Sequence, residues 1–182
     1  MSNIVFFQCD CDHEVRPEVA ALPGLEVQVW RPTRFGLAPP CGLSYFLRGM
    51  WPILHTLRIL GNRDYAVVCL RRNDRYVHRT LLIPPFFRFP FMAREDLQCG
   101  DIWTASAERG AGLALSGLRT AMREAWIPGR KIWYLAEADN LPSTRLAQRA
   151  GFRLFGYGTR EKKHGLPFTA QFVLTRFAQR DN

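Results

Sequence analysis

Apolar runs divide the chain into short extended segments separated by polar turns, with one long stretch in helical rhythm. Ile4–Phe7 is apolar and long enough for a first strand, and Leu25-Glu-Val-Gln-Val-Trp30 alternates with the period of a half-buried strand. Arg31–Pro40 carries three prolines and a glycine and reads as a loop. Leu43–Leu60 is apolar at helical spacing, with Arg48, His55 and Arg58 interspersed and Pro52 placed to break or kink it. Two arginines, a glycine and a proline within that stretch argue against a membrane span. Tyr65–Leu70 and Tyr76–Ile83 read as two strands joined through Arg71–Arg75, whose Asn73-Asp74 suits a tight turn.

Pro84–Met92 fits neither pattern. Three prolines and four phenylalanines preclude a central strand or a helix, yet four rings left in water would make an apolar patch that monomers rarely carry. Phe86, Phe87, Phe89 and Phe91 therefore wall a pocket, form a subunit interface of a homodimer, or pack on the chain's own core. The pattern then resumes with a strand from Asp96, a turn, an apolar helix-period run to Trp126, a strand Lys131–Ala136, a short helix after Ser143, and a last strand Phe168–Phe177.

The segment Asp96–Ala114 carries the most chemistry. A strand feeds, through Arg109-Gly-Ala-Gly-Leu-Ala114, into a helix start. Such a terminus offers unpaired backbone N–H groups and the positive end of the helix dipole. Gly110 and Gly112 leave room for an anion to approach the main chain. A phosphate or pyrophosphate site is one reading of that turn, and glycines kept for packing alone are the other.

Further motifs follow in order. Arg109-x-x-Gly112-x-Ala114, then Asn140-x-x-Ser143 and Gly151-Phe152, resembles the GNAT (GCN5-related) N-acetyltransferase superfamily, most closely over residues 96–160. The resemblance implies an α/β fold with a mixed, mostly antiparallel central sheet flanked by helices, and two splayed strands at the acyl-CoA site. It implies acetyl-CoA, or another short acyl-CoA, as co-substrate. The N–H groups of Arg109, Gly110, Ala111, Gly112, Leu113 and Ala114 would hold its pyrophosphate. Main-chain groups of the strand Ile102-Trp103-Thr104 would pair with the pantetheine amides. Asn140 and Ser143 match cofactor-side polar contacts, although Asn140 is equally suited to cap a helix. Leu43–Leu60 falls where the family commonly builds its acceptor cleft.

The chain departs from the family at two places. The tyrosine that often protonates the leaving thiolate is replaced by Ala147, leaving Tyr134, Tyr157 or Ser143 as substitutes. The carboxylate often found early on the cofactor strand aligns near Gln98, which cannot titrate. Among Asp96, Asp101 and Glu137, the last is favoured as general base for its place at the end of the second strand. Glu137, Tyr157 and Ser143 are thus the catalytic candidates. His78, on an apolar strand, is expected to be a packed core histidine.

Composition narrows the picture further. A chain of 182 residues, 47% hydrophobic, is expected to form a single domain over residues 1–182. The net charge of +9 comes from 22 arginines and three lysines. They are scattered rather than striped, so an anionic cofactor or acceptor explains them better than nucleic acid does. Five cysteines, an odd number, fit reduced thiols and a cytoplasmic setting, as does an N-terminus unlike a secretory signal. Cys9-x-Cys11-x-His13 lacks a second ligand pair, so no metal is expected.

The sequence therefore points to an N-acyltransferase that moves an acetyl or short acyl group to the amine of a small molecule; the arginines suit an acceptor with an anionic group, such as an amino sugar or a nucleotide-linked amine. A non-catalytic acyl-CoA-binding protein and a protein N-acetyltransferase are the alternatives.

Overall fold

The structure, a computed structural model, describes residues 3–11, 17–19, 22–33, 53–162 and 170–178. Eight strands form one sheet: β1 (Asn3–Asp10), β2 (Glu26–Trp30), β3 (Ala66–Arg72), β4 (Arg75–Ile83), β5 (Leu97–Thr104), β6 (Lys131–Glu137), β7 (Arg153–Lys162) and β8 (Ala170–Phe177). Their spatial order is β2-β3-β4-β5-β6-β1-β7-β8. All neighbours run antiparallel except β5 and β6, which are parallel. Two α-helices follow β5 and β6 among the described residues, α1 (Leu113–Ala125) and α2 (Leu141–Ala150).

The first strand lies in the interior of the sheet, paired with β6 on one side and β7 on the other. Its composition explains this: Ile4, Val5, Phe6 and Phe7 are all buried, so both faces of the strand are covered. β7 had no counterpart in the sequence reading, because its glycines and charged residues hide the alternation. The β3–β4 hairpin closes on Asn73 and Asp74, both at positive φ as a two-residue turn requires.

Both helices pack on one face of the sheet. There Val5, Phe7, Leu82, Leu97, Ile132 and Tyr134 meet Leu118, Ala121 and Met122 of α1 and Ala147 and Ala150 of α2. The other face is covered partly by the phenylalanine loop. Phe89 is buried, stacking on Phe172 at 5.5 Å, and Phe91 meets Phe6 and Trp133 edge-on at about 5 Å. Of the three readings of this loop, packing on the chain's own core holds for Phe89 and Phe91, while Phe87 is exposed.

Of Leu43–Leu60, only residues 53–60 are described; 53–56 are helical, and the expected kink at Pro52 lies outside the described residues. So does His13. Among the described residues no group of side chains is placed to hold a metal, and no helix is long and apolar enough to cross a membrane. Cys9, Cys11 and Cys99 are free thiols. Cys69 is disulfide-bonded, which corrects the expectation of reduced thiols throughout. Counting cysteines cannot reveal which side chains the fold brings within bonding reach.

Candidate active site

β5 and β6 are paired only at Leu97–Ile132, Gln98–Trp133 and Cys99–Tyr134. Beyond that rung they part. β5 continues along β4 to Thr104, and β6 continues along β1 to Glu137. The facing edges of Gly100–Thr104 and Leu135–Glu137 therefore have no strand partner, leaving main-chain donors and acceptors for a ligand that can extend between them.

A β-bulge is the local cause of the divergence. The β4–β5 register shifts between Arg79 and Leu81, leaving Asp101 at φ 44°. A bulge bends its strand and sharpens its twist, here just past the last rung shared with β6. Aspartate is one of the few side chains that tolerate this conformation, and Arg79 holds the carboxylate at 3.0 Å. Asp101 thus stays exposed but is ion-paired to Arg79 at the bend, which nothing in the sequence disclosed.

The strand leads through a short turn to a helix start without a side-chain cap. Gly110 and Gly112 have φ of 83° and 79°, and a Cβ at either would touch nothing within 4 Å. Gly112 caps α1 without a side chain, and the first turn carries no acidic residue. The leading N–H groups of α1 are thus free of the usual capping oxygen. Arg109 folds back, its Nε 3.4 Å from the carbonyl oxygen of Thr104, so its charge stands at the mouth of the gap. Glu108 beside it is ion-paired with Arg72.

His78 fixes this corner from beneath. Its ring nitrogens are hydrogen-bonded to Thr104 Oγ1 and Thr80 Oγ1, both at 2.9 Å. It is fully buried, and burial followed by the Arg79 charge lowers its pKa to about 4. A Cβ on Gly117 would lie 2.2 Å from the ring, so the glycine lets α1 settle directly on the histidine. His78 is the expected core residue, and it ties the end of β5 to the first half of α1.

On the β6 side, Asn140 caps α2 through Oδ1, which accepts from the Ser143 N–H at 3.1 Å. The Ser143 hydroxyl lies 2.6 Å from the Tyr134 phenol. Tyr134 occupies the last shared rung opposite Cys99. Burial chiefly raises its pKa, opposed by the Ser143 hydrogen bond. The Cys99 thiol is likewise held protonated by burial. Ala147 is buried beneath α2 and offers no polar group.

The three catalytic candidates are not gathered at one point. Ser143 stands with Tyr134 where the strands part. Glu137 is exposed at the end of β6. Tyr157 lies on β7 opposite Val5, which in turn faces Ala136, so two strand spacings of about 5 Å separate it from β6; Arg176 covers its ring at 5.1 Å. Gln98 is buried at the shared rung with its Oε1 unpartnered. Asp96 is a structural residue, its carboxylate accepting from the N–H groups of Ala93 and Lys131 and from the Trp133 indole.

Comparison with solved structures identifies the fold. The chain superposes on a GCN5-related N-acetyltransferase from Sphaerobacter thermophilus with a TM-score of 0.58, at 16% identity over 86% of this chain and 49% of that one. It matches an acetyltransferase of the GNAT family from Colwellia psychrerythraea at 0.54 and 14%, over 86% and 54%. The chain has the GNAT fold. A tandem GNAT protein from the clavulanic acid biosynthesis pathway also shares it, at 0.54 and 16%, over 84% and 50%. The chain spans between 48% and 61% of the lengths of the first solved structures it matches. No protein-family model and no curated protein sequence matches it. In this GNAT fold the open β5–β6 gap and the glycine-capped α1 stand side by side, as the motif resemblance implied.

Proposed function

We propose that this chain is an N-acyltransferase that moves an acetyl or other short acyl group from acyl-CoA to the amine of a small molecule. The observation that carries this reading is the unpaired edge of β5 leading directly to an uncapped, glycine-lined helix start. The two features match the two halves of the cofactor. The N–H groups of residues 109–114 and the Arg109 guanidinium receive the pyrophosphate, and the main chain of Ile102–Thr104 pairs with the pantetheine amides.

In the reaction the neutral amine attacks the thioester carbonyl, the C–S bond breaks, the thiolate gains a proton and the ammonium loses one. Ser143, backed by the buried and therefore protonated Tyr134, supplies the proton to sulfur. Glu137 takes the amine proton from its exposed position at the end of the gap. Tyr157 is the weaker proton donor, since its ring lies under Arg176 two strands away. The scattered arginines favour an acceptor bearing an anionic group, of the amino-sugar or nucleotide-linked class.

Release of free CoA thiol from acetyl-CoA with an amine panel tests the reading. Ser143→Ala and Glu137→Gln should each lower kcat by about 10²–10⁴-fold with little change in KM, and Tyr157→Phe should do less. Turnover that survives unchanged in all three variants contradicts the assignment. Ala147 and Gln98 favour a second reading, an acyl-CoA-binding protein without transfer activity, in which CoA binds and no amine is acylated.

A further inference from the structure

A cavity of about 560 Å³ opens at the far end of the same strands, on the sheet face opposite the helices. It lies beside the first residues of β6, about 20 Å along that strand from Glu137 at ~3.3 Å per residue. Four of its walls are rings in a continuous edge-to-face series. Phe91 meets Trp133 at 4.9 Å, Trp133 meets Phe155 at 4.9 Å, and Phe155 meets Phe177 at 5.4 Å. The volume falls within the range of small-molecule sites.

Two side chains in this wall, Gln8 and Arg130, each carry a buried nitrogen without a partner. Gln8, on β1 opposite Trp133, is 8% exposed and lines the cavity, and its Nε2 makes no hydrogen bond. A buried amide nitrogen left unpaired is costly. Its last torsion is soft, so either end of the amide can turn toward the cavity. The charged lining groups leave no net imprint. The Asp96 carboxylate is filled by three N–H donors. The two terminal nitrogens of Arg130 are held by the Ala125 carbonyl and by Asp64, while its Nε has no partner and offers one further donor. Glu95 and Lys131 at the rim are exposed and opposite in sign.

We infer that this cavity is a second binding site, separate from the β5–β6 gap, for a flat uncharged heteroaromatic molecule. Its rings contact the aromatic wall, and an edge presenting both a C=O and an N–H pairs with the Gln8 amide. An amide recognises such an edge by one donated and one accepted hydrogen bond. A carboxylate or a cation would gain only one of these and would meet a charge of its own sign at the rim.

Quinazolin-4-one, a bicyclic lactam, is the probe, titrated into the whole chain with and without saturating CoA and followed by calorimetry and amide NMR. Binding at about 0.1–1 mM is the expected range for a ligand of this size, with shifts at Gln8, Phe91 and Phe155 and no dependence on CoA. Gln8→Leu should weaken it about tenfold while leaving the unfolding midpoint level or higher, because an unpaired polar group is removed. Leu174→Trp, which fills the cavity, should abolish it. Quinazoline, which lacks the lactam edge, should bind the wild type as weakly as the lactam binds Gln8→Leu. The proposal is overturned by no binding at millimolar probe, by equal binding in both variants, by tighter binding of benzoate or benzyltrimethylammonium, or by shifts confined to Gly110–Leu115.

Discussion

At their first three rungs β5 and β6 are stitched together, whereas past Cys99 and Tyr134 the same two strands share nothing. The closed end uses a buried carboxylate: Asp96 gathers the Ala93 and Lys131 main-chain donors and the Trp133 indole into one cluster. The open end uses the reverse set of devices. A bulge at Asp101 bends β5 away, and glycines with positive φ remove side chains from the turn that follows. Polar main-chain groups are satisfied within the protein at one end and left for a ligand at the other. A single pair of strands can serve as scaffold and as site because its closed end carries the stability that the open end gives up.

The largest test of that contrast is at the closed end. Asp96→Ala leaves the buried Trp133 indole and two part-buried main-chain donors without an acceptor and should cost about 3–5 kcal/mol, read as the shift in a denaturant midpoint at unchanged slope. A cost below about 1 kcal/mol would mean that the stitch does not hold the strands.

A somewhat smaller effect is expected from acid. The folded pKa of His78, about 4, lies below its unfolded value of about 6.5. The unfolded chain therefore takes up the proton first as pH falls. Stability from neutral His78 is complete above pH 6.5, declines between about pH 6.5 and 4, and has been lost below that range, by about 3 kcal/mol in total. In His78→Gln this part of the pH dependence should vanish; a wild-type profile in that variant would place the titrating group elsewhere.

The smallest effect belongs to the bend. Asp101→Ala loses the ion pair with Arg79 and keeps a Cβ at φ 44° without the polar side chain that lets aspartate tolerate it, for about 1–2 kcal/mol. Asp101→Gly loses the same pair without the strain and should be milder. If the two variants cannot be distinguished in stability, strain at the bulge is not a feature of this fold.

The contrast also explains what could be read from the chain alone. Gly110, Gly112, Asn140 and Ser143 announced the open end because glycine pairs and Asn-x-x-Ser mark local turn and cap geometry. The strands around them were legible as apolar runs. The bulge at Asp101, the contact of Gly117 with His78 and the triple role of Asp96 were not, since each depends on residues from another strand or helix. The same holds for β1, whose place inside the sheet follows from the covering of both its faces rather than from its position in the chain. The phenylalanine loop could be seen to need burial, but not to find it against Phe6, Trp133 and Phe172.

The central claim is that the open end receives acyl-CoA through the turn at Gly112, and titration of acetyl-CoA into wild type and Gly112→Leu tests it most directly. A Cβ there meets no neighbour within 4 Å, so the variant should stay folded, with a strain of about 1–2 kcal/mol from φ 79°. Calorimetry should show acetyl-CoA binding to the wild type and none to the folded variant. Unchanged affinity in a folded Gly112→Leu would contradict the account.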